Sequence, residues 1–536
     1  MKKYLMIIII LTFSSCELVF HKEDNEYYVL DNNQEKFDLL NGVYYNIAKA
    51  HNEDYFTMLC RSDDVNAYQY FKLYNEPIPP VKESYCSSDM QIDFVSISAS
   101  LYQKLYSAIV SINRLESLLD DSTDAYLFGE IYFLRAYCYF KLARLYGTPP
   151  LVTDINVSYT IEKPSFVEVY ELIETDLLNA IDLLPSSYTD SRIVGETPHQ
   201  GTAKALLAEV YLAWAGYPVN DETKYELAAQ YSSDVIEHAA DYNFELLSDY
   251  ADLWDDSNRH NNENIFGLFY NSENEQTSNY IGNYLKKSEY HPGLVAGHDI
   301  YIDEDIFDLN FEIRTYPLGS LYHPEMNFYN SFPNNYRKQV SMITGVFWER
   351  EYYYLGEKIT GNQFIPFEPD SFPCDYVQYS AYLKWIDMDK INPHYRINNI
   401  GTENTLYLLR FAQTLLTYAE AGARSGNLDA SCYEAVNRIR RRANHLDQYT
   451  VSDVDLKNGL TSEQFLDSVV WERAWELAME PDGRWFDIVR LNLIDEINNT
   501  RAEQEFPTEV DAEYLTDEWY FFKIPQEDIW LNPNLE

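Results

Sequence analysis

Six charged side chains fall within one short stretch of this chain: Glu472, Arg473, Glu476, Arg484, Asp487 and Arg490 stand among Trp471, Trp475, Trp485 and Phe486. Paired carboxylates can act as acid and base in glycosidic hydrolysis. In an apolar setting, however, the same residues must pair with one another, because a lone buried charge is costly. A chain with 86 acidic residues offers carboxylate pairs anywhere, and structural ion networks are the commoner explanation. The cluster is therefore read as a device that fixes helix packing. Other reactive patterns are thin. There is no H-E-x-x-H, G-x-S-x-G, Walker A or dinucleotide glycine motif. The ten His never recur at three- or four-residue spacing, and His291 with His298 is the nearest approach to a zinc pair. Asp303, Asp305 and Asp308 lack the glycine and distal Glu of an EF-hand loop. No cofactor is expected, with a structural calcium left open.

Cys16 offers a different chemistry. Lys2 and Lys3 precede the mostly apolar run Tyr4 to Phe13, and Ser14-Ser15 lead into the Cys. Such a run is too short to span a bilayer core of ~30 Å and reads as a secretory signal. Its end resembles a bacterial lipoprotein box, with Phe13 where that pattern usually has Leu. Cleavage would place Cys16 at the N-terminus for lipidation. With 40 basic residues against 86 acidic ones, the formal charge is -46, which excludes nucleic acid as a natural partner. The same charge would be repelled by anionic head groups, so acyl chains, not a basic surface, must hold the protein at a membrane. Cys60, Cys86, Cys138, Cys374 and Cys432 form no regular framework. Cys60 with Cys86 is the best pair for one disulfide, while Cys138 and Cys432 sit in helical patterns as small hydrophobes.

The positioning elements are mainly helical. Leu101, Leu105, Ile109, Ile112, Leu115 and Leu119 recur at spacings of three and four, as do Ile131, Leu134, Cys138, Leu142 and Leu145. Gly147 and Pro149-Pro150 stop the second run. Similar runs cover about 165–184, 200–215 and 225–240, and helical patterning returns at Leu406 to Ala423, Ala430 to Ala443 and Phe465 to Met479. Ala208, Tyr211 and Ala228 echo a tetratricopeptide hairpin with an enlarged turn at Tyr217 to Lys224, and Ala419, Gly426 and Val436 echo it again. Between these regions the character changes. Residues 301–385 are about a quarter aromatic, against 16% for the whole chain, interleaved with Pro, Asn, Gly and Asp. A loop-rich subdomain with short strands such as Ile265 to Tyr270 is expected there. The expected organisation is a signal peptide at 1–15, a lipidated flexible tether at 16–34, a helical region at 35–245 with a ligand loop at about 60–98, the aromatic subdomain at 246–400, a helical region at 401–490 and an extension at 491–536 that packs back on the body.

The later helices carry a family resemblance. Leu408 to Ala412, Leu415 to Ala421, Ala435 to Ala443, Glu472 to Leu477 and Arg484 to Arg490 resemble the SusD/RagB family of nutrient-capturing outer-membrane lipoproteins of Bacteroidetes. Asn41 to Tyr44, Tyr106 to Asn113, Glu130 to Ala136, Tyr146 to Leu151 and Gly201 to Leu212 agree in the family's order. The turn Glu480-Pro481-Asp482-Gly483-Arg484 is one residue longer than the family's usual form. Lys22-Glu23-Asp24 resembles the acidic surface-export signal of these lipoproteins, which places the body in the medium outside the cell.

The resemblance implies a mainly α fold of tetratricopeptide-like helical pairs carrying an irregular subdomain. It also implies a non-catalytic protein that captures oligosaccharide and delivers it to a TonB-dependent, SusC-like transporter. Peptide capture, as in the RagB branch, a surface glycoside hydrolase and a bare helical scaffold are the alternatives. A sugar ring presents an apolar C–H face and a rim of hydroxyls, which suits Tyr and Trp beside amides and charged groups. By position, the family's ligand surface maps to Arg61, Asp63, Asn66, Tyr68, Tyr70 and Tyr74 in one loop, and to Tyr280, Tyr284, Tyr290 and Trp348 in the aromatic region.

Overall fold

The computed structural model describes residues 33–52, 62–64, 90–120, 122–155, 160–188, 195–269, 290–291, 294–295, 324–342, 345–348, 352–354, 357–359, 363–366, 384, 405–502 and 520–536. Cys16, the Cys60 and Cys86 pair and the Asp303, Asp305 and Asp308 group lie outside them. Six helices open the chain: α1 (Asn33–Asn52), α2 (Met90–Glu116), α3 (Ala125–Tyr146), α4 (Phe166–Leu183), α5 (Gln200–Trp214) and α6 (Lys224–Glu237). Local sequence explains their limits. Ser165 caps α4 through a reciprocal bond with Glu168, and burial of Val169, Tyr170, Ile173, Leu177, Ala180 and Ile181 follows the helical period. α5 is buried on every side and packs against α4 and α6. Its hairpin with α6 leaves Ala208, Tyr211 and Ala228 buried. At the end of α5, the Gly216 backbone lies so near Arg490 that an added Cβ would stand 2.5 Å from the Arg490 carbonyl oxygen, so only glycine fits.

The short strands pair locally, with one exception. β1 (Asn264–Leu268) is followed by β2 (Tyr290–His291) and β3 (Leu294–Val295), which pair with each other. β4 (Gly345–Trp348) pairs with β7 (Gln363–Pro366) around the hairpin of β5 (Tyr352–Tyr354) and β6 (Glu357–Ile359). β8 (Leu406–Arg410) returns to β1 in antiparallel register. This corrects the helical expectation for Leu406 to Ala423. The first five residues form a strand buried along its whole length, and the four consecutive apolar residues Leu406 to Leu409 have no period by which to tell strand from helix.

Between β3 and β4 lie α7 (Met326–Ser331) and α8 (Tyr336–Ser341), and the chain after β8 continues as α9 (Phe411–Arg424), α10 (Ala430–Ala443), α11 (Ser462–Glu476), α12 (Arg484–Leu491), α13 (Ile494–Ala502) and α14 (Gln526–Leu531). The molecule is mostly helical, and helical pairs such as α5 with α6 and α9 with α10 build its core. Cys138 and Cys432 are buried free thiols. The last described segment lies against the first helices, with the Phe522 amide donating to the Leu145 carbonyl at 2.7 Å.

Charged side chains sit inside this core. Glu476, at the end of α11, is fully buried and receives Arg410 at 3.0 Å, Arg442 at 2.6 Å and Arg337 at 2.8 Å. Arg410 also reaches Glu263 at 2.6 Å and Glu480 at 2.8 Å, Arg442 reaches Glu263 at 2.5 Å, and Arg337 stands 2.7 Å from Glu472. Lys384 closes the group, donating to Glu480 at 2.9 Å and to the Glu476 carbonyl at 3.0 Å. Four carboxylates thus face four buried cations, and strands β1 and β8 are pinned to α8, α10 and α11. A second group links α5, α9, α11 and α12. Arg490 grips Glu420 with bonds of 2.7 and 2.6 Å, Asp487 bridges Arg490 and Arg473, and Arg473 reaches Thr417 and Glu209.

Burial alone would push the Glu476 carboxyl up, but Arg442, Arg410 and Arg337 overrule it and hold the group well below the usual carboxylate range. Glu420 is held down in the same way by Arg490 and Arg424 against its burial. Both folded-state values lie below the unfolded value of 4.5. Their contribution to stability is therefore present above that pH and lost as pH falls through the folded values. Glu476→Gln is expected to destabilise the fold by about 3–5 kcal/mol, because it removes the carboxylate that three buried guanidinium groups share and leaves the cluster with excess positive charge, measured as the shift in denaturant midpoint. In the parent the midpoint should fall as the buffer is taken from about pH 5 to about pH 3, and in the Glu476→Gln variant the same titration should give a shallower fall.

Candidate functional site

The described part of the candidate ligand loop is Ser62–Asp64, which is fixed to the body. Asp63 is buried and makes a two-point bridge to Arg484, with Nε and Nη2 donating at 2.9 and 3.0 Å. Its carbonyl accepts the Glu325 amide at 2.9 Å, which ties the approach to α7 onto the same base. Asp64 accepts the Met479 amide at 2.9 Å and the Ser62 hydroxyl. Burial pushes the Asp64 carboxyl up to about 6, against the lowering effect of those two donors.

The receiving surface is the turn between α11 and α12, and its sequence explains its shape. Met479 is left-handed, with φ of 62°, which aims its N–H at Asp64. A Cβ on Gly483 would stand 2.4 Å from the Leu477 carbonyl oxygen, so the chain can close here only with glycine. The turn's acids then bind other parts of the molecule. Glu480 holds Lys384 and Arg410, and Asp482 holds Lys141 and Arg144 of α3. The Arg144 guanidinium lies over Phe140 and Phe486 at 3.8 and 4.1 Å, which shields the pair from water. Arg484 lies 4.9 Å over the ring of Trp471, and Trp471 stacks on Trp475 at 5.9 Å. Four segments far apart in sequence, at Ser62–Asp64, α3, Lys384 and Arg410, therefore meet at Met479–Arg484.

The expectation that the acidic motif is structural fits this geometry. Glu472, Arg473, Glu476, Arg484, Asp487 and Arg490 are all buried, and each is ion-paired. Of the sequence-derived ligand residues, Asp63 is placed with its carboxylate against Arg484. Tyr290 lies in β2 opposite Val295, and Trp348 lies in β4 opposite Gln363. Arg61, Asn66, Tyr68, Tyr70, Tyr74, Tyr280 and Tyr284 lie outside the described residues. Sequence reasoning missed the partners of the motif: Glu263, Arg337, Lys384, Arg410 and Glu420 carry no local spacing signal, and Asp63 lies hundreds of residues from Arg484. Among the described residues no group of His, Cys, Asp and Glu is arranged to hold a metal ion, and no helix is long and apolar enough to cross a membrane.

Comparison with known proteins gives this arrangement a family. A model described as "Starch-binding associating with outer membrane" matches residues 22–212, and one described as "SusD family" matches residues 322–536. SusD-like protein P2 of Formosa agariphila is 27% identical over 428 residues, covering 76% of this chain and 72% of that protein. The crystal structure of a SusD homolog from Bacteroides thetaiotaomicron superposes with a TM-score of 0.71 at 24% identity, covering 95% of this chain and 97% of that one. A laminarin-binding SusD-like protein superposes at 0.61 with 20% identity, covering 94% of this chain and 98% of that one. These two likenesses show the shared fold. The two family models fall in order on the two ends of the chain and together span more than half of it, so the chain belongs to the SusD-like family.

Proposed function

We propose that the protein is a lipid-anchored, non-catalytic glycan-binding protein of the outer membrane, facing the medium, that captures an oligosaccharide and passes it to a TonB-dependent, SusC-like transporter. The observation that carries this reading is the fixed base of the ligand loop. Asp63 and Asp64 lock Ser62–Asp64 onto the ion-paired turn at Met479–Arg484, so the loop that follows starts from a defined position. Preorganisation of this kind lowers the ordering cost of binding and suits capture by stacked rings. The family description and the laminarin-binding neighbour support a saccharide as the ligand.

The acids of the cluster support binding without turnover. A glycosidase needs two carboxyl groups facing one cleft, one of them protonated. Here Glu472, Glu476, Glu480, Asp487 and Glu420 are buried and neutralised by arginine or lysine, which leaves them as structural charges. Delivery requires release, so the contacts should be weak. A tether at Cys16 would let the body open from the transporter while staying beside it.

The full chain should bind laminarin or starch in titration calorimetry, and chromatography should recover the glycan uncut. Tyr70→Ala and Trp348→Ala should each weaken binding by about three- to tenfold, the worth of one stacked ring. Unchanged affinity in both variants would remove these residues from the site, and shortened glycan would contradict a binding-only role. Cys16→Ala should abolish incorporation of radiolabelled palmitate and move the protein from the membrane fraction to the soluble fraction. Continued labelling of that variant would place the anchor elsewhere.

A further inference from the structure

The turn after α10 presents an aromatic ring to solvent and holds it still. Tyr449 is 61% exposed, with Val451 at 79% and Leu446 at 40% beside it in sequence. An exposed Tyr is ordinary when it is free to move; this one is fixed from three directions. Asp447 shapes the turn by accepting the Tyr449 amide at 3.1 Å and the Thr450 hydroxyl at 2.6 Å. Gln448 is buried and anchors to the Leu246 carbonyl at 2.7 Å. Arg438, reaching up from α10, donates to the Tyr449 hydroxyl at 3.3 Å and lays its guanidinium 5.0 Å from the ring centroid.

Arg438 is itself unusual. In a chain with more than two acids for each base, it has no carboxylate partner among the described residues. Among those residues its hydrogen bonds run to the Gln448 side chain and Tyr449, and its guanidinium also lies 5.8 Å from the centre of the Phe411 ring. Its Nη1 edge has no acceptor among those residues. The guanidinium covers one face of the Tyr449 ring, and the exposure of the residue belongs to the rest of it. His445 is exposed a few residues away, its ring 4.4 Å from that of Tyr336 and its Nδ1 3.8 Å from Asp249. The patch therefore combines an immobilised aromatic plane with a donor that lacks an acceptor and a polar rim.

We propose that this turn is a second saccharide-contact site, in which the open face of Tyr449 takes the C–H face of one uncharged sugar ring and the outer Nη1 edge of Arg438 donates to hydroxyls of the glycan that pass the rim of the phenol ring. The inference rests on the glycan-binding reading above and adds a contact outside the loops assigned there. A ring already held loses little freedom on stacking, and planar guanidinium donors match vicinal hydroxyls. Charge selects the sugar class: Asp447, Asp249 and the net charge of -46 oppose uronate or sulfated chains. Two separated contacts on one chain would favour long polymers over short fragments through effective concentration.

The test is affinity electrophoresis of the full chain in detergent, in gels containing laminarin, starch or, as the anionic arm, alginate. Tyr449→Ala should weaken retardation by the neutral polymer about three- to tenfold, while Tyr449→Phe, which keeps the ring, should stay within about twofold of the parent. Tyr70→Ala combined with Tyr449→Ala should bind more weakly than either alone. Parent retardation that Tyr70→Ala reduces and Tyr449→Ala leaves unchanged would overturn this inference alone. Equal losses in Tyr449→Ala and Tyr449→Phe would overturn it too, since the hydroxyl would matter and the ring face would not. Stronger retardation by alginate would overturn the uncharged class, and a parent retarded by no polysaccharide would remove both this site and the glycan-binding reading.

Discussion

Glu476 is the residue on which the rest of the structure leans. One buried carboxylate receives three guanidinium groups, from α8, β8 and α10, and its own carbonyl receives Lys384. Such a group gains little over a well-packed apolar core, because desolvation offsets much of the Coulomb attraction. What it supplies is direction. Each arginine can reach its carboxylates only when strands β1 and β8 and helices α8, α10 and α11 take one relative placement, whereas apolar side chains would tolerate sliding. The Met479–Arg484 turn follows directly from α11, so the placement of Glu476 also sets the place where Asp63 and Asp64 are caught.

Under the proposed function, this constraint connects the fold to capture. A protein that must hold a glycan loosely and then release it cannot derive its order from the ligand. The order has to be present beforehand, in a scaffold that does not respond to an occupant. The ion-paired junction provides that scaffold.

Much of the helical framework was legible in the sequence because periodicity is a local property. Ile131, Leu134, Cys138, Leu142 and Leu145 are all buried in α3, and the Gly147 stop is where the helix ends. Leu406 to Arg410 misled, because five consecutive buried residues have no amphipathic face. The charged motif was legible as a set that must pair, yet its partners were not. Glu263, Arg337 and Lys384 come from segments whose local pattern says nothing about a common destination. Asp63 shows the limit of position-based transfer: it lies in the expected loop, but its carboxylate faces inward to Arg484. Tyr449 and Arg438 escaped notice for the opposite reason, since a single exposed ring gains meaning only once its surroundings are seen.

Amide hydrogen exchange of the full chain, with and without a saturating neutral oligosaccharide, tests the central claim most directly. A rigid ion-paired junction that carries the binding loops predicts new protection in segments 61–74 and 280–348, with exchange at 472–490 unchanged and slow in both states. Protection that appears at 472–490 only when the ligand is added would contradict the account, because the junction would then be formed by the ligand and could not position the loops that bind it.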